Sequence, residues 1–240
     1  MTGTDPYDWQ RIIDLCWPAE RMLPVGPWTL RITPGAGGRV NSISGDAPDD
    51  LSLAEDTARA QDQRPSFIIH QGQDTLDDAL NARGYVIEDA VNIWAMDVGP
   101  LTQMPLPHAT AFTIWPPLQI MRDIWAEGGH VTPVRQAVMT RAAQPGGILA
   151  RVDDRAAGVG FVAAGDDTAM LSAIHVLARH RRKGVAGNIL RAAAHWARDR
   201  GCTRIALVEE RANLPATATY AGHGMEIVAG YPYRRAPELS

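Results

Sequence analysis

The segment 169–201, AMLSAIHVLARHRRKGVAGNILRAAAHWARDRG, is the strongest constraint on what this chain can fold into. An apolar run ends at Leu177, and the six residues at 179–184 are then Arg, His, Arg, Arg, Lys and Gly, five of them basic or imidazole. From there Val185, Ile189, Ala193 and Trp196 recur at spacings of 4, 4 and 3, which gives a helix one apolar face, and Gly201 stops it. A strand, a basic turn, a glycine and a helix start in that order make an anion site. The first helical N–H groups have no partner within the helix, and the helix dipole places partial positive charge there. Small residues at Gly184, Ala186 and Gly187 let a phosphate or pyrophosphate approach the backbone, and Arg181, Arg182 and Lys183 add charge at its mouth. The bland reading is a solvated basic turn or a nucleic-acid patch; the order of elements favours the anion site. The chain has no G-x-x-x-x-G-K-[ST] and no G-x-G-x-x-G with an acidic residue beyond it, so neither a nucleotide P-loop nor a dinucleotide fold is supported.

Positive charge at this turn stands out because the chain of 240 residues carries a net charge of −4. Residues 1–104 hold 16 acidic and 7 basic side chains, whereas 105–240 hold 11 and 16, so the halves differ in sign. Lys183 is the sole lysine. The asymmetry suggests two halves with different partners, and the second is too weakly basic to argue for nucleic acid. No apolar run approaches the roughly 18 residues of a membrane span, and the start, MTGTDPYDWQ, lacks a basic-then-apolar signal pattern, which gives an expectation of a cytoplasmic protein without membrane partners. Cys16 and Cys202 are far apart and show no metal spacing; no metal site or disulfide framework is expected.

The stretch 98–108, with three prolines and no periodicity, reads as a linker, dividing the chain into units 1–100 and 101–240. In the second unit TAFTIW predicts a strand, 118–129 a helix, and Thr132-Pro133 an N-cap followed by proline at the first helical position. Strands near 147–152, 157–164 and 169–177, separated by Asp-Asp turns, predict an antiparallel meander. TRIALVEE predicts a buried strand, LPATATYAGHG a short helix, and MEIVAGYPYRR a bent hairpin. The first unit is less regular: strands are expected at WTLRITP, VNSISG, PSFIIHQ and NIWAMDV, and helices at SLAEDTARAQ and TLDDALNARG. The fold class is α/β or α+β, a mixed, mostly antiparallel sheet flanked by helices. LDDALNARGYVIE and ATATYAGHGMEIV share a helix–glycine–strand plan that superposes Gly84 on Gly224 and Leu80 on Tyr220, which suggests a divergent internal repeat.

RRKGVA, residues 181–186, resembles the R-x-x-G-x-G/A signature of the GNAT superfamily of acyl-CoA-dependent N-acetyltransferases. NLPATATYAGHGM, residues 213–225, resembles that superfamily's second motif, N-x-x-A-x-x-x-Y-x-x-x-G-aromatic. Ala178 replaces a common proline, and Met225 replaces the usual phenylalanine. The whole chain is similar to a tandem subgroup whose first half is a degenerate GNAT-like unit, on the strength of PWTLRITPGAGGRVNS at 27–42 and the terminal YPYRR. Since the first half lacks R-x-x-G-x-G/A and has Leu80 where the second has Tyr220, it is expected to be inactive, with GAGG only a loop.

The resemblance implies acetyl-CoA as cosubstrate, a small-molecule or peptide amine as acceptor, and no nucleic acid; a homodimer is left open. It implies that Val176 and its neighbours pair with the pantetheine arm, that Arg181, Arg182, Lys183, Gly184, Val185, Ala186 and Gly187 hold the pyrophosphate, and that Asn213 contacts the cofactor arm. Attack of an amine on a thioester requires loss of the amine proton, a donor for the oxyanion and a proton for the thiolate. A strand amide near Val176 is the expected oxyanion donor and Tyr220 the general acid, its phenol protonated at neutral pH. His175 is the first candidate base, since imidazole titrates near pH 6.5. Glu127 and His130 after the first helix, Glu209 acting through water, or simple desolvation with a water chain are alternatives, and His70 and His108 are expected in loops or at the surface. The function expected is transfer of an acyl group from acetyl-CoA to a primary amine; the alternative is a non-catalytic acyl-CoA sensor. The acidic first half suggests a cationic acceptor such as a polyamine, an aminoglycoside or a protein lysine.

Overall fold

The computed structural model describes residues 6–129 and 131–237, and His130 lies outside the described residues. One mixed sheet of eleven strands runs through the chain in the order β1-β2-β3-β4-β11-β5-β10-β9-β8-β7-β6. The first half supplies α1 (Pro6–Cys16), β1 (Arg21–Val25), β2 (Trp28–Ile32), β3 (Ile43–Ser44), α2 (Leu51–Arg59), β4 (Ser66–Ile68), α3 (Asp74–Ala82) and β5 (Val86–Asp97). Then come α4 (Val98–Gln103), β6 (Ala111–Ile114), α5 (Gln119–Glu127), α6 (Pro133–Arg141), β7 (Pro145–Val152), β8 (Arg155–Gly165), β9 (Thr168–Val176), α7 (Val185–Arg198), β10 (Arg204–Glu210), α8 (Leu214–Gly222) and β11 (Glu226–Arg235). Among the described residues only β3–β4 and β9–β10 pair in parallel.

The expected meander is present: β6, β7, β8 and β9 pair antiparallel in sequence order, turning at left-handed Asp153, Asp154 and Asp166. Thr132 caps α6, accepting a 3.3 Å hydrogen bond from the Arg135 amide. Two sequence expectations are corrected. The 98–108 stretch is not all linker, because Val98 and Leu101 bury themselves beneath α7 and wind 98–103 into α4. The residues 226–235 form one bulged strand rather than a hairpin, because they enter a slot in which β5 pairs from Glu226 to Arg235 and β4 from Tyr233 to Arg235.

That slot organises the molecule. β5 of the first half lies between β10 and β11, and β11 of the second half lies between β4 and β5, so each half lends its last strand to the other's sheet. The two strands follow matching corners. Gly84 and Gly224 have φ of +79° and +82°; the amides of Tyr85 and Met225 bond back to the carbonyls of Leu80 and Tyr220 at 3.1 Å each. A left-handed residue closes both helices, and glycine reaches that conformation without the Cβ clash other residues suffer. α1 crosses over as well, its Trp9, Ile12 and Ile13 packing with Val159 and Phe161 of β8. The opposite face is covered by α7, which buries Val185, Ile189, Leu190, Ala193 and Trp196 over β7, β8 and β9.

Candidate active site

β9 and β10 run side by side only from Thr168/Arg204 to Leu171/Leu207. Beyond that pair they part, because β9 carries a bulge: three steps from His175 to Ser172 face two from Val159 to Phe161, and Ala173 takes φ of +50°. The Trp125 indole N–H fixes the bulge with a 2.8 Å hydrogen bond to the Ala173 carbonyl. A bulge of this kind bends a strand and leaves its edge unpaired. The Leu177 amide bonds to Ala157 of β8, so alternation turns the Val176 amide and carbonyl to the open edge; that carbonyl accepts from Arg181 Nε at 3.3 Å.

The wedge opens into a cleft of about 390 Å³ that both halves line. Ser172, Ala173, Ile174, Val208, Glu209, Asn213 and Tyr220 come from the second half; Trp17, Gly38, Arg39, Asp89 and Val91 come from the first. The GAGG segment therefore does more than close a loop, since Gly38 and the adjacent Arg39 form part of the wall.

At the turn, Gly184 caps α7 in the left-handed conformation (φ +75°), and the first backbone bond of the helix runs from the Asn188 amide to the Gly184 carbonyl. Among the described residues, no carbonyl accepts from the amides of Lys183, Gly184, Val185, Ala186 or Gly187. This row of unpaired donors at the start of a 14-residue helix suits a diphosphate. Two of the basic side chains pair elsewhere, Lys183 with Asp153 and Arg179 with Glu127, each at 3.5 Å. His223 lies against Gly187, where a Cβ would collide with its ring, and its Nδ1 donates to the Thr219 carbonyl at 2.8 Å.

Tyr220 is 9% exposed, and its ring lies 6.1 Å from that of Trp94. Among the described residues its hydroxyl makes no hydrogen bond, and burial raises the phenol well above its ordinary value, so it keeps its proton. Asn213 caps α8 by accepting from the Ala216 amide and also lines the cleft. Glu209, weighed in sequence only as a carboxylate acting through water, is 5% exposed. Its Oε2 accepts from Trp94 Nε1 at 2.7 Å and from Thr217 Oγ1 at 3.2 Å, while Oε1 has no partner. Desolvation raises its pKa, and the bonds from Trp94 and Thr217 restrain the rise.

Sequence reasoning placed His175 beside the reacting centre. The structure sets its ring against Gly128 at the end of α5, where a Cβ would meet Nδ1 at 2.5 Å, and the cleft wall is made by Ser172 to Ile174 instead. The bulge at Ala173 shifts strand parity at that point, which no local pattern announces. Glu127 pairs with Arg179, and both are exposed. His70 lies in a loop but is buried, against the edge of Tyr231. Among the described residues no helix is long and apolar enough to cross a membrane, and no cluster of His, Cys, Asp or Glu could hold a metal ion.

Residues 115–225 match the family model described as acetyltransferase (GNAT) family. Aminoglycoside N(6')-acetyltransferase type 1 of Klebsiella aerogenes is 27% identical over 147 residues, spanning 56% of this chain and 94% of that protein. A GCN5-related N-acetyltransferase from Kribbella flavida superposes over 100% of this chain and 98% of its own, with TM-score 0.76 and 17% identity. A tandem GNAT protein from the clavulanic acid biosynthesis pathway superposes over 90% of this chain and 80% of its own, with TM-score 0.62 and 16% identity. These matches agree with the resemblance carried by the two motifs: residues 115–225 are similar to the GNAT acetyltransferases, the fold is the GNAT fold, and the likenesses support an acyltransferase.

Proposed function

We propose that this chain is a GNAT acyltransferase that moves the acetyl group of acetyl-CoA onto a primary amine, with residues 101–240 as the catalytic unit and 1–100 as a unit that completes the cleft. Acetyl-CoA supplies an activated carbonyl whose C–S bond breaks as a C–N bond forms. The observation that carries the reading is the unpaired Glu209 Oε1 in the same cleft as the Tyr220 hydroxyl, at the mouth of the β9–β10 wedge. The open edge of Val176 is matched to the amides of a pantetheine arm, and the orphan amides of residues 183–187 to its diphosphate. Arg181 would leave the Val176 carbonyl as the arm pairs there.

Each proton has a destination. Glu209, its pKa raised by desolvation, takes the proton the amine must lose, directly or through one water. The Val176 amide, turned to the open edge, donates to the carbonyl oxygen as negative charge develops. Tyr220 gives its proton to the departing thiolate and recovers one from solvent, so that the products are the amide and coenzyme A with a free thiol. His175, facing Gly128, is assigned no proton transfer.

The test is release of thiol from acetyl-CoA in the presence of amines, alongside calorimetry with coenzyme A. Association with coenzyme A and amine-dependent thiol release are expected. Association without any turnover would leave the sensor reading, and no association would overturn both.

A further inference from the structure

Over residues 168–171, β9 lies between β8 and β10; over 172–176, among the described residues, β8 is its one partner strand. The register on β8 changes within this half-free stretch. Ser172 faces Phe161, whereas His175 faces Val159 and Val176 faces Gly158, so β9 carries one residue more than its partner. The extra residue includes a left-handed turn of the backbone at Ala173, with φ of +50°. A residue with a Cβ enters that region at a cost that glycine does not meet, so the bulge needs a hold from outside the sheet.

α5 supplies that hold at two points. Trp125 is fully buried and donates its Nε1–H to the Ala173 carbonyl at 2.8 Å. The His175 ring lies against Gly128, where α5 ends, so closely that a Cβ there would collide with it. What the hold achieves follows from the register. Were β9 set straight, with Ser172 still on Phe161, Val176 would come opposite Ala157. The Ala157 carbonyl now accepts from the Leu177 amide at 3.0 Å. It would then accept from Val176, and the amide that faces the open edge would be consumed within the sheet, because a slip of one residue exchanges inward and outward groups.

We propose that Trp125 is a positioning residue for acyl transfer: its indole N–H pins the bulge of β9 and so keeps the Val176 amide turned to the open edge, where it can meet the thioester carbonyl oxygen. This rests on the acyltransferase reading, in which that amide receives the developing negative charge. Trp125 itself touches neither substrate; it acts through the backbone of residues 173–176.

The test is Trp125→Phe in the full chain, which keeps a buried ring and removes the N–H. The kcat for thiol release should fall about 10-fold, the worth of one hydrogen bond. It should fall by more than the affinity for coenzyme A, because the amides of residues 183–187 are untouched. Adding Ala173→Gly should restore much of the rate, since glycine keeps a left-handed bulge without help. An indole that matters only for packing would lower Tm and gain nothing from the glycine. An unchanged kcat, or a loss that the glycine does not recover, overturns the proposal. If Trp125→Phe does not fold, the double variant carries the same comparison, and failure of both to fold also overturns it. Amide hydrogen exchange by NMR gives a readout that needs no turnover. In the unaltered chain the Leu177 amide should exchange slowly and the Val176 amide fast, and Trp125→Phe should move protection from Leu177 toward Val176. The opposite order in the unaltered chain, or one pattern in both chains, overturns the proposal. If no amine releases thiol, the acyltransferase reading fails separately, and the exchange pattern alone decides whether Trp125 sets the register of β9.

Discussion

Trp94 Nε1 donates a 2.7 Å hydrogen bond to Glu209 Oε2 across 115 residues of chain. The bond joins β5 of the first half to β10 of the second, at the register pair next to Val208↔Ile93 and Glu209↔Asn92. It makes the carboxylate proposed as the base dependent on a residue of the half that lacks the catalytic motifs.

Glu209→Gln should lower the rate of acyl transfer by about 10²-fold or more with coenzyme A affinity kept. In the unaltered protein the rate should rise with pH through a group above the ordinary carboxylate range, since desolvation favours the protonated form. The glutamine variant should lose that rise. A full rise retained in Glu209→Gln would assign the proton to another group.

Trp94→Phe keeps most of the packing against Tyr220 and removes one N–H. Because that bond holds the Glu209 pKa down, its loss should move the acid limb of the pH–rate profile to higher pH. A merely structural indole would alter stability, by about 1–2 kcal/mol for the lost bond, and leave the limb in place.

Tyr220→Phe should reduce turnover about 10²-fold while coenzyme A binds as before, because the ring stays and the proton donor goes. Since burial holds the phenol above its ordinary value, the unaltered enzyme should show no alkaline loss from this group below pH ~10. A rate–pH measurement with both chains checks the two statements together.

Cys16 and Cys202 should resist thiol reagents in the native protein. Cys16 is 2% exposed, its Sγ donates to the Ala163 carbonyl at 3.2 Å, and burial pushes its pKa up to about 12. Cys202 is 3% exposed and its pKa is raised for the same reason. The thiolate is the reactive form, so a disulfide reagent should titrate both only after unfolding; prompt native reaction would contradict the packing of α1 on β8.

Arg234 of β11 grips Asp77 of α3 through two bonds of 2.7 and 2.8 Å, and the Asp77 pKa falls chiefly through that hydrogen bonding. A carboxylate with a depressed folded-state pKa stabilises above its unfolded value, and the contribution disappears as pH falls through the folded one. Asp77→Asn should therefore lower stability by about 1–3 kcal/mol at neutral pH. It should also flatten the acid side of the stability–pH curve, as read by urea unfolding at several pH values.

The sequence by itself determined the local parts: the strand–basic turn–glycine–helix unit, the Asn213-to-Tyr220 helix, the meander and the repeat of two helix–glycine–strand corners. Each is written within a short window, as a hydrophobic period or as a residue type that a turn or cap requires. Tertiary structure alone decided that β5 and β11 trade places between the halves, because strand partners so far apart in sequence leave no trace in a local period. It set the His175 ring against Gly128, beyond a bulge that shifts strand parity, and it buried Glu209 with one oxygen on Trp94 of the other half. Charge environment belongs to packing, and the packing here joins residues that the chain holds about a hundred positions apart.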